Sequence, residues 1–229
     1  MIFEDWSGEE LQSDKWEIFE SPGPEGPWRF EEPGAEVDFG EKTLILRVNP
    51  FTRKAEASPF DDFKHLVISK QPIAVPESGV LTLEVEFAVL CSNNDPFVLR
   101  DAMAGFFLCD MNGGMALGAV SNGTLAGALC MRMTPPGGAA EPEAFAAIAE
   151  AWNRLTPGQR HRYTIQYERS TDKISFWLDR RLFYAARHVP AKIDQMHLGL
   201  ALLTLERVGQ PLHGQGAELQ IGPIEVIPT

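Results

Sequence analysis

Six side chains of this sequence carry the kinds of groups that do chemistry, and their positions follow a strand-like rhythm. In Lys173-Ile-Ser-Phe-Trp-Leu178, Phe176 and Leu178 read as core residues. Successive strand residues point to opposite faces, so Ser175, Trp177 and Asp179 project together to the other side. An indole on an open sheet face offers a flat apolar surface on which a sugar ring or another flat ligand can stack. His213-Gly-Gln-Gly216 is a polar, glycine-rich loop before the last strand. Its histidine titrates near neutrality and can act as acid or base. Gln215 adds an amide beside it. Asp110 closes the apolar run Phe106 to Cys109, and Arg132 interrupts the run Ala128 to Met133. An unpaired charge in apolar surroundings is costly, so the two are expected to pair if their strands share a sheet. Lys64 sits in Lys64-His-Leu-Val-Ile-Ser69 and is expected at an opening where it can meet an anionic ligand. The expectation is that Lys64, Asp110, Arg132, Trp177, His213 and Gln215 gather on one concave face, with His213 and Asp110 as catalytic groups. Such a set suits a small polar or carboxylate-bearing molecule better than a long polymer.

The elements that must position these groups are short strands. Leu81-Thr-Leu-Glu-Val-Glu-Phe-Ala-Val89 alternates apolar residues with Thr82, Glu84, Glu86 and Ala88, the period of a half-buried strand. Thr43 to Val48, Ala104 to Cys109, Met115 to Val120, Leu125 to Met133, Arg162 to Tyr167, Leu182 to Ala185, Leu198 to Leu205 and Glu218 to Ile227 continue the set. Gly, Pro and Asn turns separate them, Asn112-Gly113-Gly114 among them. Glu143 to Arg154 breaks the pattern: Phe145, Ile148, Ala149 and Trp152 fall on one helical stripe, which predicts a short helical insert over about 139–155. The whole, 1–229, reads as one all-β domain, a two-sheet antiparallel sandwich, a size at which such folds often stay undivided (~200–250 residues).

Composition narrows the function classes. The net charge of -12 repels phosphate backbones and anionic lipid, so neither nucleic acid nor a membrane is an expected partner. The oligomeric state is left open. Cys91, Cys109 and Cys130 lie among apolar or small residues without metal-ligand spacing, which predicts three reduced thiols and no zinc site. The segment Met1 to Trp16 carries Glu4, Asp5, Glu9 and Glu10 in place of a basic and apolar leader, so a cytoplasmic location is expected. No cofactor motif is present: neither a P-loop nor a GxGxxG in a βα context occurs. Asn93-Asn94-Asp95 has one carboxylate, which favours an Asx turn over a calcium site.

The opening Phe3 to Trp16, the hairpin His161 to Asp179 and the closing strands Leu198 to Leu205 and Ile221 to Val226 together resemble the concanavalin A-like lectin/glucanase superfamily. Phe3-Glu-Asp-Trp-Ser-Gly8 through Asp14-Lys15-Trp16 is similar to the D-F-x-G-x-x-L-D-x-x-K-W opening of laminarinase-like sandwiches. His161-Arg-Tyr-Thr-Ile-Gln-Tyr167 followed by Ile174-Ser-Phe-Trp-Leu-Asp179 is similar to their H-x-Y-x-I-x-Y and I-x-F-W-V-D-G hairpin, with Arg180 where the glycine is expected and a looser turn in consequence. Asp62-Phe63-Lys64 and His213-Gly-Gln-Gly216 resemble motifs of a bacterial and fungal branch of that superfamily. The resemblance implies a jelly-roll fold far more strongly than an activity. It also invites one catalytic test. Laminarinase-like enzymes carry E-x-D-x-x-E or E-x-D-x-E on one strand, whose outer carboxylates act as nucleophile and acid/base. Here Glu84 and Glu86 match the first two positions, but Ala88 or Val89 stands at the third. Without that acid nothing protonates the leaving group, so this glycosidase mechanism is not expected. Three functional readings follow, the first two being an intracellular enzyme acting on a small polar molecule or sugar derivative, and a noncatalytic lectin-like module in which Trp177, Glu84 and their neighbours hold a carbohydrate. A purely structural role, with a sheet face packed on another subunit, is the third.

Overall fold

The computed structural model describes residues 1–23, 26–52, 63–111, 115–132, 147–151, 154–187, 193–205 and 214–228. Among them the chain forms two eight-stranded antiparallel sheets and a small ribbon. The first sheet runs, edge to edge, through β16 (Arg181–Arg187), β15 (Lys173–Leu178), β14 (His161–Glu168), β9 (Leu81–Ser92), β18 (Gly216–Pro228), β6 (Thr43–Val48) and β5 (Glu36–Gly40), with β1 (Ile2–Glu4) also on β18. The second runs through β13 (Ala147–Ala151), β12 (Ala126–Arg132), β11 (Met115–Ser121), β10 (Met103–Asp110), β17 (Gln195–Leu203), β7 (Phe63–Ser69) and β2 (Trp16–Ile18), with β8 (Ile73–Ala74) on β17. The ribbon pairs β3 (Glu20–Gly23) with β4 (Gly26–Arg29).

Each sheet turns one set of alternate residues inward. Leu83, Val85 and Phe87 of β9, Tyr163 and Ile165 of β14, and Phe176 and Leu178 of β15 meet Phe106 and Leu108 of β10, Leu117 of β11 and Leu198 and Leu200 of β17. Phe87 and Tyr163 stack at 3.9 Å between ring centroids. Each such side chain contributes about 1.5–3 kcal/mol by leaving water. The two sheets differ on their outer faces. The first keeps the alternation seen in the sequence, with Glu84, Glu86, Arg162, Gln166 and Trp177 outward. The second is covered on both sides: every residue of β10 and β11 is buried, and Leu66, Ile68, Phe107, Val120 and Leu129 form a second apolar cluster with Phe30 and Leu99. Strands buried on both faces read as continuous apolar runs. Within that layer the Phe107 ring lies over Gly118, its cross-strand partner, where a Cβ would meet the ring at 2.3 Å.

The opening motif is a staple. Trp6 and Trp16 pack at 5.4 Å, and the buried Glu4 carboxylate accepts hydrogen bonds from Trp16 Nε1 at 2.9 Å and from the backbone N–H groups of Asp5 and Trp6. Burial raises the Glu4 pKa, but the bonds from Trp16, Lys15 and Trp6 outweigh it and hold the group below its ordinary value. Trp6 Nε1 donates to Gly222 O at 2.8 Å and so ties the opening to β18.

Two expectations are corrected. The described part of the predicted helical insert is strand: Ala147–Ala151 pairs antiparallel with β12, Ile148 opposite Leu129. Ala147, Ala149 and Ala151 alternate as well as they spiral, and the register sets them opposite Cys130, Ala128 and Ala126. The turn after Leu178 is also not loose. Leu178 pairs directly with Arg181, and Asp179 and Arg180 take φ of 48° and 67°. That is a two-residue hairpin with both residues left-handed. Asp179 is pinned there: its Oδ1 accepts the Arg162 N–H at 3.0 Å and its Oδ2 lies 2.8 Å from His161 Nδ1.

Candidate functional site

The outer face of the first sheet assembles polar side chains in rows. Register places Trp177 beside Thr164, Thr164 beside Glu84, and Glu84 beside Glu225, one residue from each of β15, β14, β9 and β18. At ~4.8 Å per strand the row is ~14 Å long. The row on one side holds Ser175, Gln166 and Thr82, and the row on the other holds Arg162 and Glu86, with Asp179 at its end. Trp177 is partly exposed, and its indole N–H donates to Ser175 Oγ at 3.0 Å, which fixes the ring's orientation. Gln166 bridges onward, with Oε1 3.4 Å from Ser175 Oγ and Nε2 3.4 Å from Thr82 Oγ1. Leu182, paired with Trp177 on the edge strand, is 52% exposed and extends the apolar end of the platform.

Charge gathers at the other end. Arg162 Nη2 lies 3.1 Å from Glu86 Oε1, and its Nη1 3.9 Å from Glu84 Oε2. These hydrogen bonds to Glu86 raise the Arg162 pKa further, so the guanidinium is a permanent cation. A bulge between Ile221 and Ile224 lifts Gly222 and Pro223 out of register. They line a groove of about 210 Å³ with Glu84, Glu86, Arg160, Arg162 and Glu225. It adjoins a second hollow of about 250 Å³ lined by Glu86, Arg160, Arg162, Asp179 and Arg180. Both are small against the ~300–1,000 Å³ of pockets for drug-sized ligands.

The residues singled out in the sequence do not converge. Trp177 and Glu84 share this face and this row. Lys64 sits at a bulge, where the consecutive residues Leu202 and Leu203 pair with His65 and Phe63, and it is fully buried rather than at an opening. The reason is legible in β7, whose two faces are both covered. Asp110 has the inward parity of Phe106 and Leu108 and is 5% exposed, close enough to Tyr167 to raise its pKa in a minor way beneath the effect of burial. Asp110, Met115 and Arg132 lie in one register row, with a whole strand between Asp110 and Arg132, ~9.6 Å between Cα atoms. The Arg132 side chain, His213 and Asp62 lie outside the described residues. Gln215 is buried at 2% exposure beside the start of β18, where its carbonyl accepts the Phe51 N–H at 2.7 Å.

Strand parity sets Ser175 and Asp179 beside Trp177 already in the sequence; Arg162 and Gln166 were not singled out, though the same parity puts them on this face. Glu225 and Arg160 gave no signal. Asp95 forms the expected Asx turn: its Oδ1 accepts the Phe97 N–H at 2.9 Å. Among the described residues no cluster of three His, Cys, Asp or Glu is arranged to hold a metal ion. All three cysteines are free, and burial pushes the thiols of Cys91 and Cys109 up to about 12 and that of Cys130 to about 11.

Known structures share this architecture. The laminarinase catalytic domain from Thermotoga maritima superposes with a TM-score of 0.62 at 9% identity, covering 99% of this chain and 96% of that one. The endo-1,3-β-glucanase from Streptomyces sioyaensis gives 0.60 at 15% identity over 99% and 95%. A Bacteroides ovatus GH16 enzyme in complex with a G4G4G3G product gives 0.61 at 12% over 98% of each. These likenesses establish the concanavalin A-like lectin/glucanase fold. No curated protein sequence matches the chain. A family model does, over residues 12–229, and the chain therefore belongs to the family of unknown function DUF6081.

Proposed function

We propose that the protein is a carbohydrate-binding module that holds a short saccharide on the outer face of its first sheet, without catalysing its cleavage. The observation that carries this reading is Trp177: an oriented, partly exposed indole at the head of a strip of carboxylate, amide and guanidinium groups. A pyranose has an apolar C–H face and a rim of hydroxyls. The indole accepts the first. Glu84, Gln166, Arg162 and Glu225 accept from or donate to the second. The carbohydrate-active neighbours of the same fold support the ligand class. The enzymatic alternative, on a small polar molecule or sugar derivative, relied on Asp110 and His213. Asp110 has inward parity, away from the Trp177 strip, which favours binding over turnover. A cytoplasmic site of action is part of the proposal, supported by three unpaired thiols.

Calorimetric titration with neutral and charged tetrasaccharides tests the reading. Binding that falls about tenfold or more in Trp177→Ala supports it, since ~1.4 kcal/mol is a modest share of what a stacked aromatic contributes. Unchanged affinity in that variant would refute it.

A further inference from the structure

The hollow beside Asp179 differs in charge from the groove it adjoins. We infer that it is a subsite for an anionic substituent, a sulfate or carboxylate, on the saccharide assigned above, so the inference rests on that reading.

Three arginines of this acidic chain are held by carboxylates. Arg29 meets Glu20 and Glu31, Arg47 meets Glu36, Asp38 and Glu218, and Arg162 meets Glu84 and Glu86. Arg160 and Arg180 form no such pair, which they share with Arg100, Arg169, Arg181 and Arg187 among the described residues; what sets them apart is that they line one hollow together. Arg160 Nη2 donates to the neutral Thr43 Oγ1 at 2.6 Å, and Arg180 makes no ion pair among the described residues. Both are exposed and both line the same hollow.

The two carboxylates in that hollow are already engaged. Glu86 holds Arg162, and Asp179 holds the Arg162 N–H and His161. The hollow thus carries three guanidinium groups against two committed carboxylates. The neighbouring groove carries Glu84, Glu86 and Glu225 against Arg160 and Arg162. Charge runs from negative to positive along the strip, with Arg162 and Arg160 common to both ends. A ligand matched to it presents hydroxyls to the Glu84–Glu225 end and one anionic group to the Arg160–Arg180 end. Planar guanidinium forks recognise sulfate and carboxylate oxygens in two-point contacts.

Arg180 adds an independent sign. It occupies φ of 67°, a conformation that glycine adopts freely and other residues rarely do. A glycine there would close the hairpin with less strain but would leave the hollow without its second unpaired cation.

The test compares a heparin-derived tetrasaccharide, tetragalacturonate and neutral laminaritetraose by calorimetry at about 0.15 M salt, where the Debye length is about 8 Å and the chain's overall repulsion is largely screened. The charged ligands are expected to bind about tenfold or more tightly than the neutral one, the size of one charge-assisted contact. Whether sulfate or carboxylate is preferred follows from the first two arms. Arg180→Gly should abolish most of that preference while leaving laminaritetraose affinity unchanged, and Arg160→Ala should weaken the charged ligands more than the neutral one. Arg180→Gly should also raise the denaturation midpoint, which separates lost binding from lost folding. Equal affinities for neutral and charged ligands overturn the subsite while the Trp177-dependent binding stands. A preference that survives both substitutions overturns it too. Failure of all three saccharides to bind overturns the subsite and the carbohydrate reading together.

Discussion

Lowering the pH from 7 to 5 should destabilise this protein through one residue, His65. Its side chain is 1% exposed, and neither ring nitrogen has a hydrogen-bond partner. It pairs with Leu202 across the second sheet and shares the inward parity of Val67. Burial pulls its pKa from 6.5 to about 4; Glu31 and Glu32 oppose this weakly, and Arg29 adds to it. The folded protein therefore keeps His65 neutral where the unfolded chain already binds a proton. Stability is at its full value above about pH 6.5, falls as the pH drops through the window between 6.5 and about 4, and loses nothing further from this group below that. A shift of ~2.5 pH units is worth at most ~3.4 kcal/mol, of which ~2 kcal/mol is lost by pH 5. Urea unfolding at pH 7 and pH 5, on the native chain and on His65→Leu, measures it. The native chain should lose about 2 kcal/mol more than the variant between the two pH values. The paired carboxylates with lowered pKa, Glu4 and Glu218, respond only below about pH 4.5 and do not confuse the comparison. An identical pH 7-to-5 loss in both proteins would refute the account of His65.

Other consequences are simpler to state. Laminarin and β-1,4-glucans should not be hydrolysed, because Ala88 and Val89 are buried apolar residues where the leaving-group acid would stand; reducing-sugar release that disappears in Glu84→Gln would contradict this. Cys109 and Cys130, buried and with raised pKa, should resist thiol reagents in the native protein, and all three thiols should titrate after denaturation without reductant. Gly118→Ala should cost about 1–3 kcal/mol, since its Cβ would press on the Phe107 ring, and thermal unfolding at unchanged midpoint would count against that packing.

The half of the site that sequence reading found is the half that strand parity governs. Trp177 projects outward because Phe176 and Leu178 are 0% and 2% exposed, and Glu84 does so because Leu83 and Val85 are core. Parity, however, says nothing of which strand lies beside which. That Glu225 faces Glu84 depends on β18 running between β9 and β6, a pairing of segments more than a hundred residues apart. Lys64 was misplaced because its strand lacks alternation. Leu66, Val67 and Ile68 are all buried, the mark of a strand covered on both faces, and such a strand has no open side for a lysine to seek. The predicted helix failed for a related reason. A run of alanines is compatible with either period, and a vacant strand edge, invisible locally, decided between them.

The central claim, that a saccharide lies on the outer face of the first sheet, is tested most directly by a crystal structure of the protein soaked with the tightest-binding tetrasaccharide. The account predicts a pyranose ring stacked on the Trp177 indole, with hydroxyls on Glu84 and Arg162. A saccharide bound instead over the second sheet, or at any site that leaves Trp177 uncovered, would contradict it.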